Sequence, residues 1–284
     1  MRVLKGKVAV VTGAASGIGR SLVLQLASEG CNLSIADIDP KGLKETAKLA
    51  KNNSTEITIE VVDVANRDQV YAYAENVVSD HGRVDIVINN AGVSLRGTIE
   101  EVSEEEFEWL MGINFWGVVY GSKAFLPYLK QRTEANLVNI SSVHGLFTNP
   151  GVGPYCSSKF GVRGFTMALC QELKDTPVKV SCVHPGGIKT NIVRNARDAA
   201  ALIPEKSREE AQEDFDKTIA RISSDKAAKI IIRGIRKDKP RILVGSDAYV
   251  FDFLTRHFPL YWQKFMGVLP DFLSRLDPKK KSNE

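Results

Sequence analysis

A short apolar run, Lys7-Val8-Ala9-Val10-Val11-Thr12, passes directly into Gly13-Ala14-Ala15-Ser16-Gly17-Ile18-Gly19, and an amphipathic stretch follows over residues 20–29. The β-branched run suits a strand buried on both faces. Leu22, Val23, Leu26 and Ala27 recur at helical spacing, and Gly30 is placed to stop the helix. A strand, a glycine turn and a helix in that order aim backbone N–H groups and a helix N-terminus at one spot, which suits a pyrophosphate. Gly13 permits the tight turn, Gly17 removes a Cβ that would obstruct the phosphates, and Gly19 allows close packing of helix on strand. A glycine-rich surface loop without a ligand would not need the flanking strand and helix.

The same rhythm continues. Strands are predicted at 32–36, 57–62, 84–89, 136–140 and 178–184, with a last one at 241–244. Helices are predicted at 69–79, 157–173 and 227–236, and a longer one opens at the capping-box pattern Ser103-Glu104-Glu105-Glu106 and runs past Asn114 toward residue 126. Alternation of this kind implies an α/β fold: a single doubly wound, Rossmann-like parallel sheet with helices on both faces, spanning residues 1–245. Ligands then sit at the carboxyl ends of the strands. Asp37, Asp63, Asn89-Asn90, Ser142 and Pro185-Gly186 all fall there.

Tyr155 and Lys159 are four residues apart, a spacing that puts helical residues on one face, and Ser142 lies thirteen residues before Tyr155. A lysine ammonium beside a phenol favours the phenolate, so a group of ordinary pKa about 10 becomes usable as an acid or base nearer neutrality. Ser142 can donate a hydrogen bond to an oxygen held by that phenol. Asp37, ending the second strand, suits the ribose hydroxyls of an adenosine and repels a 2′-phosphate, which favours NAD over NADP. Its other reading is a cap for the next helix, a role Asp39-Pro40 can also fill. Arg20 and Lys41 are near enough in sequence to admit NADP.

With these residues in hand, the chain resembles the short-chain dehydrogenase/reductase family from about residue 5 to 245. The resemblance rests on Thr12 to Gly19, Asp63-Val64, Asn89-Asn90-Ala91-Gly92, Asn114, Ser142, Tyr155 with Lys159, and Pro185-Gly186 with Thr190. It implies that Gly13, Ser16, Gly17, Ile18 and Gly19 hold the cofactor's phosphates, that Asp63 and Val64 hold the adenine, and that Asn90 borders the cofactor. Ile188 and Thr190 would bind the nicotinamide carboxamide. Tyr155 and Lys159 would also meet the cofactor, Lys159 through the nicotinamide ribose. Asn114 would bend its helix and hold a water linking Lys159 to solvent. The implied reaction is hydride transfer between the nicotinamide and a carbinol carbon, with Asn114, Ser142, Tyr155 and Lys159 as the catalytic set.

Substrate identity is less constrained. Val143, Leu146 and Phe147 suggest an apolar pocket and hence a lipophilic secondary alcohol or ketone; His144 either lines it or is a solvated loop residue. A 3-oxoacyl-thioester reductase of lipid metabolism is the alternative enzyme, and a catalytically silent nucleotide sensor or scaffold the alternative of another class. Retention of Tyr155 and Lys159 opposes the second, and Asp37 opposes the first. Residues 191–222, helical in pattern, read as a substrate lid or as a charged surface hairpin. Residues 246–284 read as an aromatic-rich helical extension with a basic end at Lys279-Lys280-Lys281. Its aromatics, Tyr249 through Phe272, are expected to pack on the body, to wall the substrate site, or to touch a membrane peripherally, in that order.

Net charge is +4 and those three lysines supply most of it, so the near-neutral body gives no electrostatic case for nucleic acid. Cys31, Cys156, Cys170 and Cys182 show neither disulfide nor metal-like spacing, and no metal is expected. Cys31 and Cys182 read as buried strand residues. No signal peptide and no membrane-spanning run is expected, so the cytoplasm is the default location. Trp116, Phe160 and Phe165 on the two long helices suit pairing across a two-fold axis in a homodimer or homotetramer, or burial within one chain.

Overall fold

A computed structural model describes residues 1, 3–51, 55–201, 210, 212–213 and 222–261. In chain order its elements are β1 (Val8–Thr12), α1 (Gly17–Ser28), β2 (Asn32–Asp37), α2 (Pro40–Ala50), β3 (Ile57–Val61), α3 (Arg67–His81), β4 (Ile86–Asn89) and the short β5 (Leu95–Arg96). Then come α4 (Glu104–Met111), a π-helical turn at Gly112–Trp116, α5 (Gly117–Leu129), β6 (Ala135–Ile140), α6 (Gly153–Glu172) and β7 (Val178–Pro185). Among the described residues there follow β8 (Ile188–Lys189), β9 (Arg197–Asp198), β10 (Ile222–Ser223), α7 (Ser224–Arg236), β11 (Arg241–Val244) and α8 (Ser246–His257).

Seven strands form one parallel sheet in the order β11-β7-β6-β4-β1-β2-β3. The order reverses between β1 and β4, which opens a crevice at their carboxyl ends. Strand alternation divides the core. Ala9, Val11, Ile86, Ile88 and Val138 meet Leu22 and Leu26 of α1, Leu43 of α2 and Ile231 of α7. Val8, Val10, Val87 and Leu137 meet Tyr73 of α3, Phe125 of α5 and Leu169 of α6. Every residue of β1 is buried, as its unbroken apolar run requires.

The capping box forms as expected: Glu106 N donates to the Ser103 hydroxyl, and Ser103 N donates to the Glu106 carboxylate. The long helix it opens is not continuous, because the π-helical turn interrupts it at Asn114. Asn114 is fully buried there, and its side chain bonds the backbone of Val93 in both directions: Nδ2 donates to Val93 O at 3.0 Å, and Oδ1 accepts from Val93 N at 2.8 Å. A residue spending both ends of its amide outside its own helix leaves a local mismatch, which the wider turn absorbs.

Several expectations need correction. Residues 191–201 are turns plus β9, not helix; β9 pairs in parallel with β5, and Arg96 Nε donates to Asp198 at 2.6 Å across that pair. Most of the supposed lid lies outside the described residues. Cys31 is buried but precedes β2, where its thiol donates to Leu4 O. Trp262, Phe265, Phe272 and the lysine run lie outside the described residues. Of the aromatics before them, Phe251 stacks on Phe147 with ring centroids 3.9 Å apart, whereas Tyr249 and Phe253 stay exposed. Among the described residues, no helix is long and apolar enough to cross a membrane, and no group of three His, Cys, Asp or Glu stands together to hold a metal ion.

Candidate active site

A cleft of about 540 Å³ follows the carboxyl ends of the strands. Gly13, Ser16, Gly17, Ile18, Asp37, Asp63, Val64, Asn90, Ser142, Tyr155, Lys159, Ile188 and Thr190 all line it. Two expected residues do not. Gly19 stands behind the glycine turn, and Asn114 lies beneath the floor of the cleft.

The glycine turn shows why its residues are small. Gly13 and Gly17 have φ of +66° and +55°, a region that resists side chains. A Cβ on Gly13 would come within 2.7 Å of Ala91 Cα, and one on Gly19 would collide with the Gly13 carbonyl oxygen. Asn90 fastens the turn to β4, its Nδ2 donating to Thr12 O at 2.9 Å and Gly13 O at 3.1 Å. Asp37 sits at the turn too: it accepts from Ala15 N at 3.0 Å and from Asp39 N at 3.1 Å. The cap of α2 is Asp39, which accepts from Lys41 N. That frees Asp37 from the capping role. Arg20 turns from the cleft, donating to Ala15 O and pairing with Glu45 at 2.8 Å. The resulting cradle of glycines, backbone N–H groups and one acid fits a dinucleotide of the NAD type: there is room where a Cβ would close the turn.

At the other end, α6 brings Tyr155 and Lys159 to the cleft floor, both buried. Lys159 Nζ donates to Ile140 O at 3.2 Å and lies 5.7 Å from the Tyr155 ring centroid. The backbone of Lys159 is held in turn, its carbonyl accepting from Ser141 Oγ at 2.8 Å. Ser142 Oγ accepts from His144 N at 3.1 Å, which leaves its O–H to donate toward the phenol side. Ser142 is steadied from behind by His184, whose Nδ1 donates to Ser142 O at 3.0 Å.

Electrostatics differ from the expectation that Lys159 dominates the phenol. Burial pushes the Tyr155 phenol up to about 12, against the pull of its hydrogen bond with Ser142. Burial also lowers Lys159 to about 8. Both charged forms lose hydration at the cleft floor, and burial is the largest cause of each shift. His144 is likewise not a solvated loop residue. It is half-buried, set edge-on to Tyr155 with centroids 5.7 Å apart and against Phe147 at 5.0 Å, and burial lowers it to about 4.

Asn114 spends its remaining donor on Ser158 Oγ at 3.2 Å, and Ser158 Oγ donates to Tyr155 O at 2.7 Å. Asn114 thus reaches α6 through Ser158. Asn89 and Asn139 form a buried polar network between sheet and helices with Ser122 and Thr166. Sequence reasoning missed Trp109, Ile113, Asn195 and Arg197 of the cleft lining. The Arg197 guanidinium lies 3.7 Å over the Trp109 ring, joining α4 to β9. Ile113 was findable from its place beside Asn114; the Trp109–Arg197 contact spans 88 residues and leaves no local signal.

Known proteins agree with this geometry. The family described as short chain dehydrogenase matches residues 7–201. The "Putative oxidoreductase SadH" of Mycobacterium tuberculosis is 41% identical over 270 residues, spanning 94% of this chain and 96% of that protein. The 3-oxoacyl-[acyl-carrier-protein] reductase FabG of Thermotoga maritima is 35% identical over 208 residues, spanning 73% of this chain and 82% of its own. Among solved structures, a short chain dehydrogenase/reductase from Burkholderia phymatum in complex with NAD superposes with a TM-score of 0.82 at 30% identity, over 90% of this chain and 95% of that one. An alcohol dehydrogenase from the archaeon Thermococcus sibiricus, complexed with 5-hydroxy-NADP, gives 0.70 at 26% identity over 84% and 96%. Sequence, sheet order and cleft converge on one conclusion: this chain belongs to the short-chain dehydrogenase/reductase family of oxidoreductases.

Proposed function

We propose that the protein interconverts a lipophilic secondary alcohol and its ketone with NAD as the redox partner. The observation that carries this reading is the joint placement of Ser142, Tyr155 and Lys159 in the same cleft as the glycine turn and Asp37. When bound, the nicotinamide supplies the hydride acceptor or donor, and the protein binds, orients and moves a proton. Gly13, Ser16, Gly17 and Ile18 would hold the phosphates, Asp37 the adenosine ribose, and Asp63 and Val64 the adenine. Ile188 and Thr190 would meet the carboxamide.

Tyr155 Oη is the proton carrier. In ketone reduction it gives its proton to the carbonyl oxygen, a role suited to a phenol held protonated by burial. In alcohol oxidation the phenolate must form, and the Lys159 ammonium lowers its cost at that step. The Ser142 hydroxyl, its acceptor side already bonded to His144 N, donates to the substrate oxygen and stabilises developing charge. Asn114 serves by fixing Val93 and Ser158. Val93, Ile192, Trp109, Phe147 and the half-buried neutral His144 favour an apolar substrate.

A 3-oxoacyl-thioester reductase is the second reading, favoured by the 35% identity to FabG. Asp37 and the engagement of Arg20 by Glu45 weigh against the NADPH such an enzyme would use. For the oligomer, we propose a homodimer or homotetramer through the π-helical turn, α5 and α6, where Trp116 and Phe160 are 47% and 37% exposed while Phe165 packs inward on Phe115. NADH formation across a panel of secondary alcohols, with NADPH formation in parallel, tests the main reading. Turnover of apolar alcohols with NAD is expected; absence of turnover with every alcohol and ketone tried, in both directions and with both cofactors, would overturn it.

A further inference from the structure

Asp247, in the first turn of α8, lies outside every motif identified above, yet its carboxylate reaches the rim of the cleft. Oδ2 accepts from Gly187 N at 2.7 Å. Gly186 leaves no room between itself and that carboxylate, since a Cβ there would collide with Asp247. Pro185 and Gly186 line the cleft, and Ile188 and Thr190 follow at once. The turn is held at two further points, by Gly186 N donating to Val244 O at 2.9 Å and by Ile188 pairing with Ile222. Helix α8 cannot drift without disturbing the catalytic loop, because Phe251 is stacked on Phe147 and Ala248 packs with Val143. The same helix is moored to β11 by the ion pair of Asp252 with Arg241.

We propose that Asp247 is a positioning residue for the nicotinamide end of the dinucleotide. Its carboxylate fixes the Pro185–Gly187 turn from behind and thereby sets where Ile188 and Thr190 face the cleft. The proposal rests on the nicotinamide-binding reading above and goes beyond it, since it gives α8 a part in cofactor binding.

The test is titration of NADH and of ADP-ribose into wild type, D247A and D247N, followed by fluorescence and by calorimetry. ADP-ribose lacks the nicotinamide, so a general loss of structure weakens both ligands, whereas a displaced 185–190 turn weakens only NADH. D247A is expected to bind NADH about tenfold or more weakly, the scale of a lost hydrogen bond to a charged group, with ADP-ribose within about twofold of wild type. D247N keeps an acceptor oxygen for Gly187 N and should recover most of the affinity. Equal NADH affinity in D247A and wild type, or equal losses for both ligands, would overturn the positioning role while leaving the cofactor reading intact. A wild type that binds no dinucleotide would overturn both. Should D247A fail to fold, hydrogen exchange on wild type decides: a slow Gly187 amide supports the clamp, and exchange at the rate of an open loop defeats it.

Discussion

The two rims of the cleft are built differently. The rim made by β1, α1 and β2 is held mainly by backbone conformation and contacts among its own elements, two glycines at positive φ, Ala15 N on Asp37 and Arg20 on Ala15 O, with Asn90 tying it to the end of β4. The opposite rim is assembled from distant side chains: His184 on Ser142, Arg96 on Asp198, Asp247 on Gly187. The first tolerates little change because its atoms are in contact, the second because each loop depends on a partner from elsewhere in the chain. The glycine-turn rim is therefore set largely by local sequence, while the opposite rim depends on which distant side chains meet it.

Breaking the far rim at its chemistry should have the largest effect. Tyr155→Phe is expected to cut turnover by about 10²–10⁴-fold with NADH affinity nearly unchanged, measured by steady-state kinetics and ligand titration. Retained turnover would remove Tyr155 from the proton-transfer role.

Breaking the near rim should instead act on binding and stability. Gly19→Ala places a methyl against the Gly13 carbonyl oxygen and should destabilise the fold by about 1–3 kcal/mol, with loss of nucleotide binding. Chemical denaturation read beside NADH titration checks both arms. An intact grip in that variant would mean the turn is looser than its geometry indicates.

Acid should expose the far rim's dependence on buried neutral groups. Burial lowers His184 and His144 to about 4, so between pH 6.5 and 4 the unfolded chain binds protons that the folded chain excludes. Stability is therefore full above about pH 6.5 and falls as pH drops toward 4, by about 1–3 kcal/mol for a fully buried group such as His184. Lys159 acts with the same sign in a higher window: between about 8 and 10.5 the unfolded chain again holds the extra proton, so its contribution to stability rises with pH there. Thermal unfolding across pH, with His184→Gln expected to flatten the acid limb, separates the two.

Smaller effects sharpen the contrast. Asp37→Ala should weaken NAD by about tenfold and narrow its advantage over NADP, because it removes both the ribose acceptor and the repulsion of a 2′-phosphate. Unchanged selectivity in paired titrations would count against the ribose role. Arg197→Ala, which removes the stack on Trp109, should raise the substrate KM only a few-fold, in line with about 0.5–1 kcal/mol for an exposed cation–π contact.

Much of the fold was legible because its signals are local. Alternating apolar runs predicted the sheet, the last strand was located at Arg241–Val244, and Ser103 with Glu106 marked the start of α4. Residues 191–201 were misread because their charged, alanine-rich composition is helical in isolation, while the pairing of β9 with β5 overrides it. His144 was misread because neighbouring residues in sequence do not report the rings of Tyr155 and Phe147 that enclose it.

By itself, the sequence determined the order of strands and helices, the glycine turn and the shared face of Tyr155 and Lys159, all consequences of backbone sterics and of periods of two and 3.6 residues. Tertiary structure alone decided the desolvation of that pair, the burial of His144 and the reach of Asp247 to Gly187. Those depend on desolvation and on contacts across the chain, and neither quantity exists until the sheet has closed its two rims around the cleft.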